Sequence, residues 1–419
     1  MDAGAEGDAG FDYPAYGAGA LCDVLPAIGT ALGVQGLDGT GPESGPDGGT
    51  GCAEVDGNRE QSSGAAHWWN LSPVRRACLF LVDGMGSELI LKNADAAPYL
   101  AALLRGGAQS IGPDGTGRVL TAGFPSTTST SLSSIGTGLP PGAHGMLGYK
   151  LAVPGTGKLM NFLRWDQDVD PLVWQPRETM FERLQRAGVA VTHVSSPRFA
   201  DSGLTRSVFR GARFSGAEPA DERAMRALEA LERRDRSLVY LYYSDLDFVG
   251  HVDGVDSQRW LDQIGYVDAL VQWLAERLPS DCSLYVVADH GMIDVPTERR
   301  IDADTDWELR AGVALLGGEA RARHVYAHPG AERDVLAIWS ERLDGVALVR
   351  SREEAIVEGW FGPSVDARMS ERIGNVVVAM RGDWAVIASE REAIESRLIG
   401  MHGSMTAAEQ FVPLLEVRG

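Results

Sequence analysis

Six residues able to ligate a metal, Asp83, Asp247, His251, Asp289, His290 and His402, are spread widely along the chain, each just beyond an apolar run that reads as a strand. Carboxylate and imidazole in combination suit Zn²⁺ or a similar divalent cation. A seventh candidate lies in the Ser/Thr-rich stretch Phe124-Pro-Ser-Thr-Thr-Ser-Thr-Ser-Leu, where Thr128 offers a hydroxyl that could stand between two cations. The chemistry such a set would perform is two-metal phosphoryl transfer.

Each element also has a plainer reading. Asp247 and His251 are four residues apart, on one face of a helical turn, a spacing that is also common on surfaces. Asp289-His290-Gly291 places adjacent acid and imidazole directly after the run Leu-Tyr-Val-Val-Ala, where a cation or an ion-pair partner would offset their crowding. It also reads as a turn, with Asp as an N-cap and Gly supplying an unusual backbone angle. Asp83-Gly84-Met85-Gly86 has the same two readings, and His402 alone is an ordinary loop histidine ahead of a C-terminal helix expected near Thr406. Thr128 either opens a Ser/Thr-rich helix or sits at that helix N-terminus as a nucleophile, where the helix dipole favours a phosphate oxygen. Of the eight histidines, three stand beside glycine after strands in this pattern.

The elements that must position these groups alternate between strand and helix, the pattern of a mostly parallel sheet covered by helices. Cys78–Val82, Val189–Val194, Leu238–Tyr243 and Leu284–Ala288 are continuous apolar runs suited to strands buried on both faces. Ser87–Leu104, Ala220–Arg234 and Gln258–Arg277 have helical spacing. Asp83, Asp247 and Asp289 would then stand beyond the carboxyl ends of strands, where open α/β sheets bind ligands. The expected division is a flexible segment over 1–73, with a short helix near Leu21 and a Gly/Asp/Pro-rich linker, a core over 74–295 and 373–419, and an inserted α+β cap over 296–372.

Composition narrows the partners. With 38 Lys and Arg against 58 Asp and Glu, the net charge of -20 across 419 residues opposes a polyanionic backbone and argues against a nucleic-acid polymer. A small phosphate ester remains compatible, because bound cations reverse the field inside one cleft. No stretch approaches the roughly 20 apolar residues of a membrane span and Met1–Gly7 lacks the pattern of a secretory signal, so a cytoplasmic protein without a membrane partner is expected. The four cysteines form neither a disulfide framework nor a thiolate metal site.

Taken in order, Asp83, Thr128 with Thr137-Gly138 nine residues on, Asp247-x-x-x-His251, Asp289-His290 and His402-Gly403 resemble the alkaline phosphatase superfamily, in particular its nucleotide pyrophosphatase/phosphodiesterase branch, from about Arg76 onward. The resemblance implies an alkaline phosphatase-like α/β fold and two divalent metal ions, Zn²⁺ first. Asp247, His251 and His402 would hold one ion, and Asp83, Asp289 and His290 the other. Thr128 would be a metal-bound nucleophile that forms a phosphothreonine on a nucleotide-like phosphate ester. The family's Phe-Pro-x-x-Thr favours Thr128 over Thr127, and its segment after the nucleophile helix matches Leu139-Pro-Pro-Gly-Ala-His144-Gly145, with His144 structural. Three carboxylates and a threonine alkoxide bring about four negative charges against four positive from two dications, leaving the ions able to accept an anionic phosphoryl oxygen.

This chain departs from the pattern where the family often places a phosphate-binding Asn. The position here is Tyr149, so Tyr149 and Asn161 are the candidate substrate-binding residues. No C/S-x-P-x-R element surrounds Thr128, which disfavours a sulfatase. A phosphonate hydrolase or a phosphomonoesterase on the same core are the alternatives, and a noncatalytic metal-binding protein retaining the fold is the alternative of another class.

Overall fold

A computed structural model describes residues 10–37, 71–106 and 115–419. Its main sheet has seven strands: β1 (Arg76–Val82), β2 (Gly115–Thr121), β3 (Ala190–Ser195), β4 (Arg213–Gly216), β5 (Ser237–Tyr243), β6 (Cys282–Val287) and β7 (Phe411–Arg418), in the spatial order β2-β7-β6-β1-β5-β3-β4. From β6 to β4 every neighbour is parallel, while β7 runs antiparallel to both β6 and β2. The expected α/β class with a mostly parallel sheet is the one found. The four apolar runs became β1, β3, β5 and β6, and the last six residues of β1 and all of β5 and β6 are buried, as strands in the middle of a covered sheet require.

The helical expectations hold at Ala220–Leu231 and Gln258–Ala275. Ser87–Leu104 instead divides into helices Ser87–Lys92 and Pro98–Leu104, because Pro98 cannot continue a helix but opens one readily at its first turn. After Thr406 only Ala407–Gln410 is helical, and the chain then enters β7 rather than a C-terminal helix. β7 threads between β2 and β6, so its apolar side chains find partners that are remote in sequence.

Two boundaries shift. The N-terminal stretch was expected to be flexible up to residue 73, but Leu21, Val24, Leu25 and Ile28 are fully buried in the main core, beside Phe124, Leu132 and Leu184. Tyr16 donates its hydroxyl hydrogen to the Trp360 carbonyl at 2.9 Å and accepts from the Phe124 N–H at 3.0 Å. Apolar periodicity over Leu21–Leu32 was strong enough to dock despite the Gly- and Asp-rich surroundings. The linker expected over 35–66 lies outside the described residues beyond Leu37, as does Cys52. The inserted unit is a four-stranded antiparallel sheet, ordered Val313–Glu319, Ala322–Ala327, Val376–Met380 and Ala347–Ser351, backed by the helix Glu332–Arg342. Val376–Met380 pairs inside this sheet and Ala388 belongs to its core, so the cap extends past the expected residue 372.

No helix among the described residues is long and apolar enough to cross a membrane. If the N-terminal segment is part of the core, Ile28→Ala is expected to lower the unfolding free energy by about 2–5 kcal/mol in urea denaturation. An unchanged midpoint would show that the segment contributes nothing to folding.

Candidate active site

Three strands end side by side and deliver three carboxylates. Asp83 follows β1 and donates its backbone N–H to the Tyr243 carbonyl at the end of β5, at 2.9 Å. Asp247 sits one turn into the helix Asp245–Asp253 that follows β5, and Asp289 stands two residues beyond β6. Their approach is close enough to dictate a neighbour's identity. Gly84 has φ +73°, and a Cβ there would lie 3.1 Å from the Asp247 Cα and Cβ.

The three histidines share one arrangement. His251 Nδ1 is 2.8 Å from the Gly400 carbonyl, His290 Nδ1 is 2.9 Å from the Gly291 carbonyl, and His402 Nδ1 is 2.9 Å from the Ser126 carbonyl. A carbonyl only accepts, so each Nδ1 carries the hydrogen and each Nε2 keeps its lone pair. His290 Nε2 lies 3.4 Å from Asp83 Oδ1 and 3.5 Å from Asp289 Oδ2; His251 Nε2 lies 3.3 Å from Asp247 Oδ2. The His402 ring stacks on His290 with centroids 3.7 Å apart. Thr128 opens the helix Thr128–Thr137, and its Oγ1 is 3.3 Å from His290 Nε2 and 3.5 Å from Asp83 Oδ1.

Two groupings have ligand atoms close enough to share a cation: Asp247 with His251 and His402, and Asp83 with Asp247 and His290. The first is the set expected from sequence. In the second, Asp247 takes the place expected for Asp289, whose Oδ1 accepts from the Gly84 and His290 N–H groups at 3.1 and 3.0 Å. Its Oδ2 is buried with no hydrogen-bond partner, as is Asp247 Oδ1. Orphaned carboxylate oxygens facing imidazole lone pairs are what a divalent cation would satisfy, so the residues fit the expected metal pair.

Electrostatics point the same way. Burial, followed by the Asp289 charge, holds the Asp83 carboxyl well above the usual carboxylate range, and burial pushes Asp247 and Asp289 each up to about 7. Burial lowers His290, and burial with the neighbouring His290 and His251 drives His402 well below an ordinary imidazole.

The structure brings Tyr149 to the cleft but not Asn161. Tyr149 lines a cavity of about 430 Å³ with Thr127, Thr128, Asp247, His251 and His402, whereas Asn161 Oδ1 accepts from the Leu163 and Arg164 N–H groups at 2.9 and 3.2 Å and its side chain bonds Tyr149. His144 is buried against Ser134 Oγ at 3.0 Å and accepts from the Met146 N–H, the structural role expected. A second cavity of about 200 Å³ also has Thr128 in its lining, walled by Leu132, Phe199, Phe209 and Phe248, with Arg198 beside them. Sequence reasoning missed Tyr242, whose hydroxyl donates to Asp83 Oδ2, and Glu319 of the cap, whose Oε2 lies 3.4 Å from His402 Nδ1. Tyr242 had one available signal, its place next to the carboxyl end of a buried strand. Glu319 had none.

The profile of the type I phosphodiesterase / nucleotide pyrophosphatase family matches residues 77–405. An uncharacterized pyrophosphatase/phosphodiesterase of Schizosaccharomyces pombe is 27% identical over 197 residues, 45% of this chain and 40% of that protein. A phosphopentomutase of Lachnoclostridium phytofermentans is 27% identical over 148 residues, 35% of this chain and 36% of its own length. These matches thus span well under half of either relative. Among solved structures, murine ectonucleotide pyrophosphatase / phosphodiesterase 5 superposes with a TM-score of 0.64 at 18% identity, and the human protein with 0.60 at 19%, each over 81% of this chain and 87% of the other. At these identities the likeness is one of fold.

Raised carboxyls have a measurable consequence in the metal-free protein. Asp247 and Asp289 hold protons in the folded state up to about pH 7 but lose them near 3.8 when unfolded, so they favour folding below about pH 4 and that contribution is lost as pH rises through 7. Zinc should therefore stabilise the protein more at pH 8 than at pH 6 and release protons on binding, read by calorimetry in two buffers of different ionisation enthalpy. Proton-neutral binding would contradict the assignment of these carboxyls.

Proposed function

We propose, from the premise that the chain belongs to the type I phosphodiesterase / nucleotide pyrophosphatase family, that it hydrolyses phosphoric esters, diesters of nucleotide-like alcohols first, with Thr128 as nucleophile between two zinc ions. The observation that carries this reading is a buried threonine hydroxyl at the start of a helix, 3.3 Å from His290 Nε2 and 3.5 Å from Asp83 Oδ1, lining one cavity with Asp247, His251 and His402.

Asp247, His251 and His402 would hold one ion, and Asp83, Asp289 and His290 the other, with Asp247 near enough to serve both. Two bound dications would lower the hydroxyl pKa of Thr128 and offset charge gathering on the phosphoryl and leaving oxygens. The rest belongs to the chain. Thr128 gives up its hydroxyl proton to solvent, its Oγ1 forms a bond to phosphorus as the bond to the ester oxygen breaks, and the departing alkoxide takes up a proton from solvent to leave as the alcohol. The helix beginning at Thr128 directs its N-terminal dipole at the phosphoryl group throughout. Water then bonds to phosphorus as the bond to Thr128 Oγ1 breaks, releasing the phosphate monoester and returning a proton to Thr128. Tyr242 holds Asp83 through its hydroxyl, and Tyr149, which lines the same cavity as Thr128, would donate to a phosphoryl oxygen.

Two cavities that share Thr128 in their lining support this substrate class. A diester carries two substituents, and the cleft offers two spaces, one of them walled by aromatic and aliphatic side chains suited to a flat apolar group. An inactive variant of the murine relative was solved in complex with AMP, with a TM-score of 0.63 to this chain, which supports a nucleotide-like substituent here. Arg198 in the lining of the aromatic cavity favours a second reading, a phosphomonoesterase, because a guanidinium can meet the extra charge of a monoester.

Zinc-loaded protein is expected to hydrolyse bis-p-nitrophenyl phosphate in preference to p-nitrophenyl phosphate; the reverse order would assign a phosphomonoesterase. Thr128→Ala is expected to reduce turnover below about one-thousandth of wild type while metal content persists. Full activity in that variant would remove Thr128 from the mechanism.

A further inference from the structure

We infer that Glu319, supplied by the cap, is a positioning residue for His402, so that the cap helps to build the metal-facing side of the site as well as standing over it. The inference rests on the functional reading above, because it concerns the imidazole assigned to one ion.

Glu319 ends the cap strand Val313–Glu319, and its side chain lines the cavity that holds Thr128 and His402. There it reaches the two segments that flank the site. Its Oε2 is 3.4 Å from His402 Nδ1, and its carboxylate accepts a hydrogen bond from the side chain of Thr127, the residue before the proposed nucleophile. His402 Nδ1 donates to the Ser126 carbonyl at 2.9 Å and so carries the hydrogen, and Glu319 Oε2 approaches that same nitrogen at 3.4 Å. Nε2 is then held as a lone pair on the Asp247 side, with Asp247 Oδ1 4.0 Å away. A carboxylate behind a ligating imidazole fixes its orientation and raises its basicity.

The backbone has been shaped to admit this carboxylate. Gly403 has φ +129°, and a Cβ there would lie 2.9 Å from both Cγ and Cδ of Glu319. The glycine after His402 thus leaves the space that the cap side chain fills. Glu319 is not itself among the groupings able to share a cation, so its place is behind His402.

A separate set of bonds ties the same loop to the same cap turn. Arg321, two residues on, forms a fully buried paired contact with Glu409, 2.7 Å to each oxygen, and Glu409 accepts from the Ser404 N–H at 2.9 Å. Ser404 donates its hydroxyl hydrogen to the Met380 carbonyl of the cap at 2.6 Å, while the Ser126 hydroxyl donates to the Ser404 carbonyl at 2.7 Å. The loop carrying His402 is thereby clamped between the segment leading to Thr128 on one side and the cap on the other. Beside the Ser126 carbonyl, Glu319 is the cap's member of this clamp that reaches the imidazole ring.

Glu319→Met keeps the length of the side chain but removes the acceptor, and Glu319→Gln restores an acceptor without the charge. Zinc affinity and stoichiometry would be measured on the full chain by competition with a chromogenic chelator, alongside kcat and KM for bis-p-nitrophenyl phosphate. The methionine variant is expected to unfold near the wild-type midpoint without metal, yet to lose affinity for one of two zinc ions by about 10–100-fold. Its kcat should fall more than its KM rises, and the glutamine variant should recover most of both losses. Two zinc ions bound at wild-type affinity by the methionine variant would overturn the inference, as would a change confined to KM. If the methionine variant does not fold, Glu319→Ala takes its place under the same criteria. Failure of the wild-type protein to bind two zinc ions would instead sink the functional reading, a result separable from any effect of Glu319.

Discussion

Mutual repulsion among Asp83, Asp247 and Asp289, held in one largely buried space, is the constraint around which the rest of this structure is arranged. Burial raises all three carboxyls, and two of them retain an oxygen with no hydrogen-bond partner. Such crowding is unfavourable to folding unless protons or cations offset it. The protein supports it with a parallel sheet whose central strands are almost wholly buried, so that apolar packing at a distance holds the strand ends together. The same sheet that stabilises the fold thus sets the spacing of the groups that destabilise it.

The imidazoles present an Nε2 lone pair beside those carboxylates only in the right tautomer, and backbone carbonyls decide the tautomer. Gly400, Gly291 and Ser126 each present an acceptor to an Nδ1. The carbonyls belong to loops fixed by remote contacts. Ser126, for example, donates its backbone N–H to the carbonyl of Gly403, remote in sequence, at 3.0 Å. Orientation of a site side chain is therefore a property of how distant loops meet, and it is carried by groups that every residue type possesses.

The inserted sheet extends this logic. It is a compact unit with its own apolar core around Val325, Trp339 and Val378, yet it sends charged side chains into the larger domain. Arg321 and Arg323 are fully buried, paired with Glu409 at 2.7 Å and with Glu392 at 2.8 Å. Buried ion pairs of this kind contribute little net stability, but removal of one partner leaves an uncompensated charge, so they fix one relative placement of the two units. The walls of the larger cavity, from Tyr149 and Arg164 on one side to Glu319 and Glu392 on the other, inherit that placement.

Much of this was legible before any coordinates. Continuous apolar runs identified β1, β3, β5 and β6, because strands buried on both faces require nothing else, and Asp83 and Asp289 were placed at their carboxyl ends by that rule alone. Helical spacing made Asp247 and His251 neighbours, and the seven candidate site residues stood out by type and order. What sequence left undecided were interactions between segments far apart: the docking of Leu21–Leu32 on the core, the insertion of β7 between β2 and β6, the extension of the cap sheet to Met380, and the roles of Tyr242 and Glu319. Local periodicity records which face of an element is apolar but carries no information about which remote partner covers it. By itself, then, the sequence determined which elements form and which side chains can do chemistry. Tertiary structure alone decided which oxygens remain unpaired, which nitrogen of each imidazole faces the site and which acid stands behind His402, because those depend on distances between loops separated by hundreds of residues.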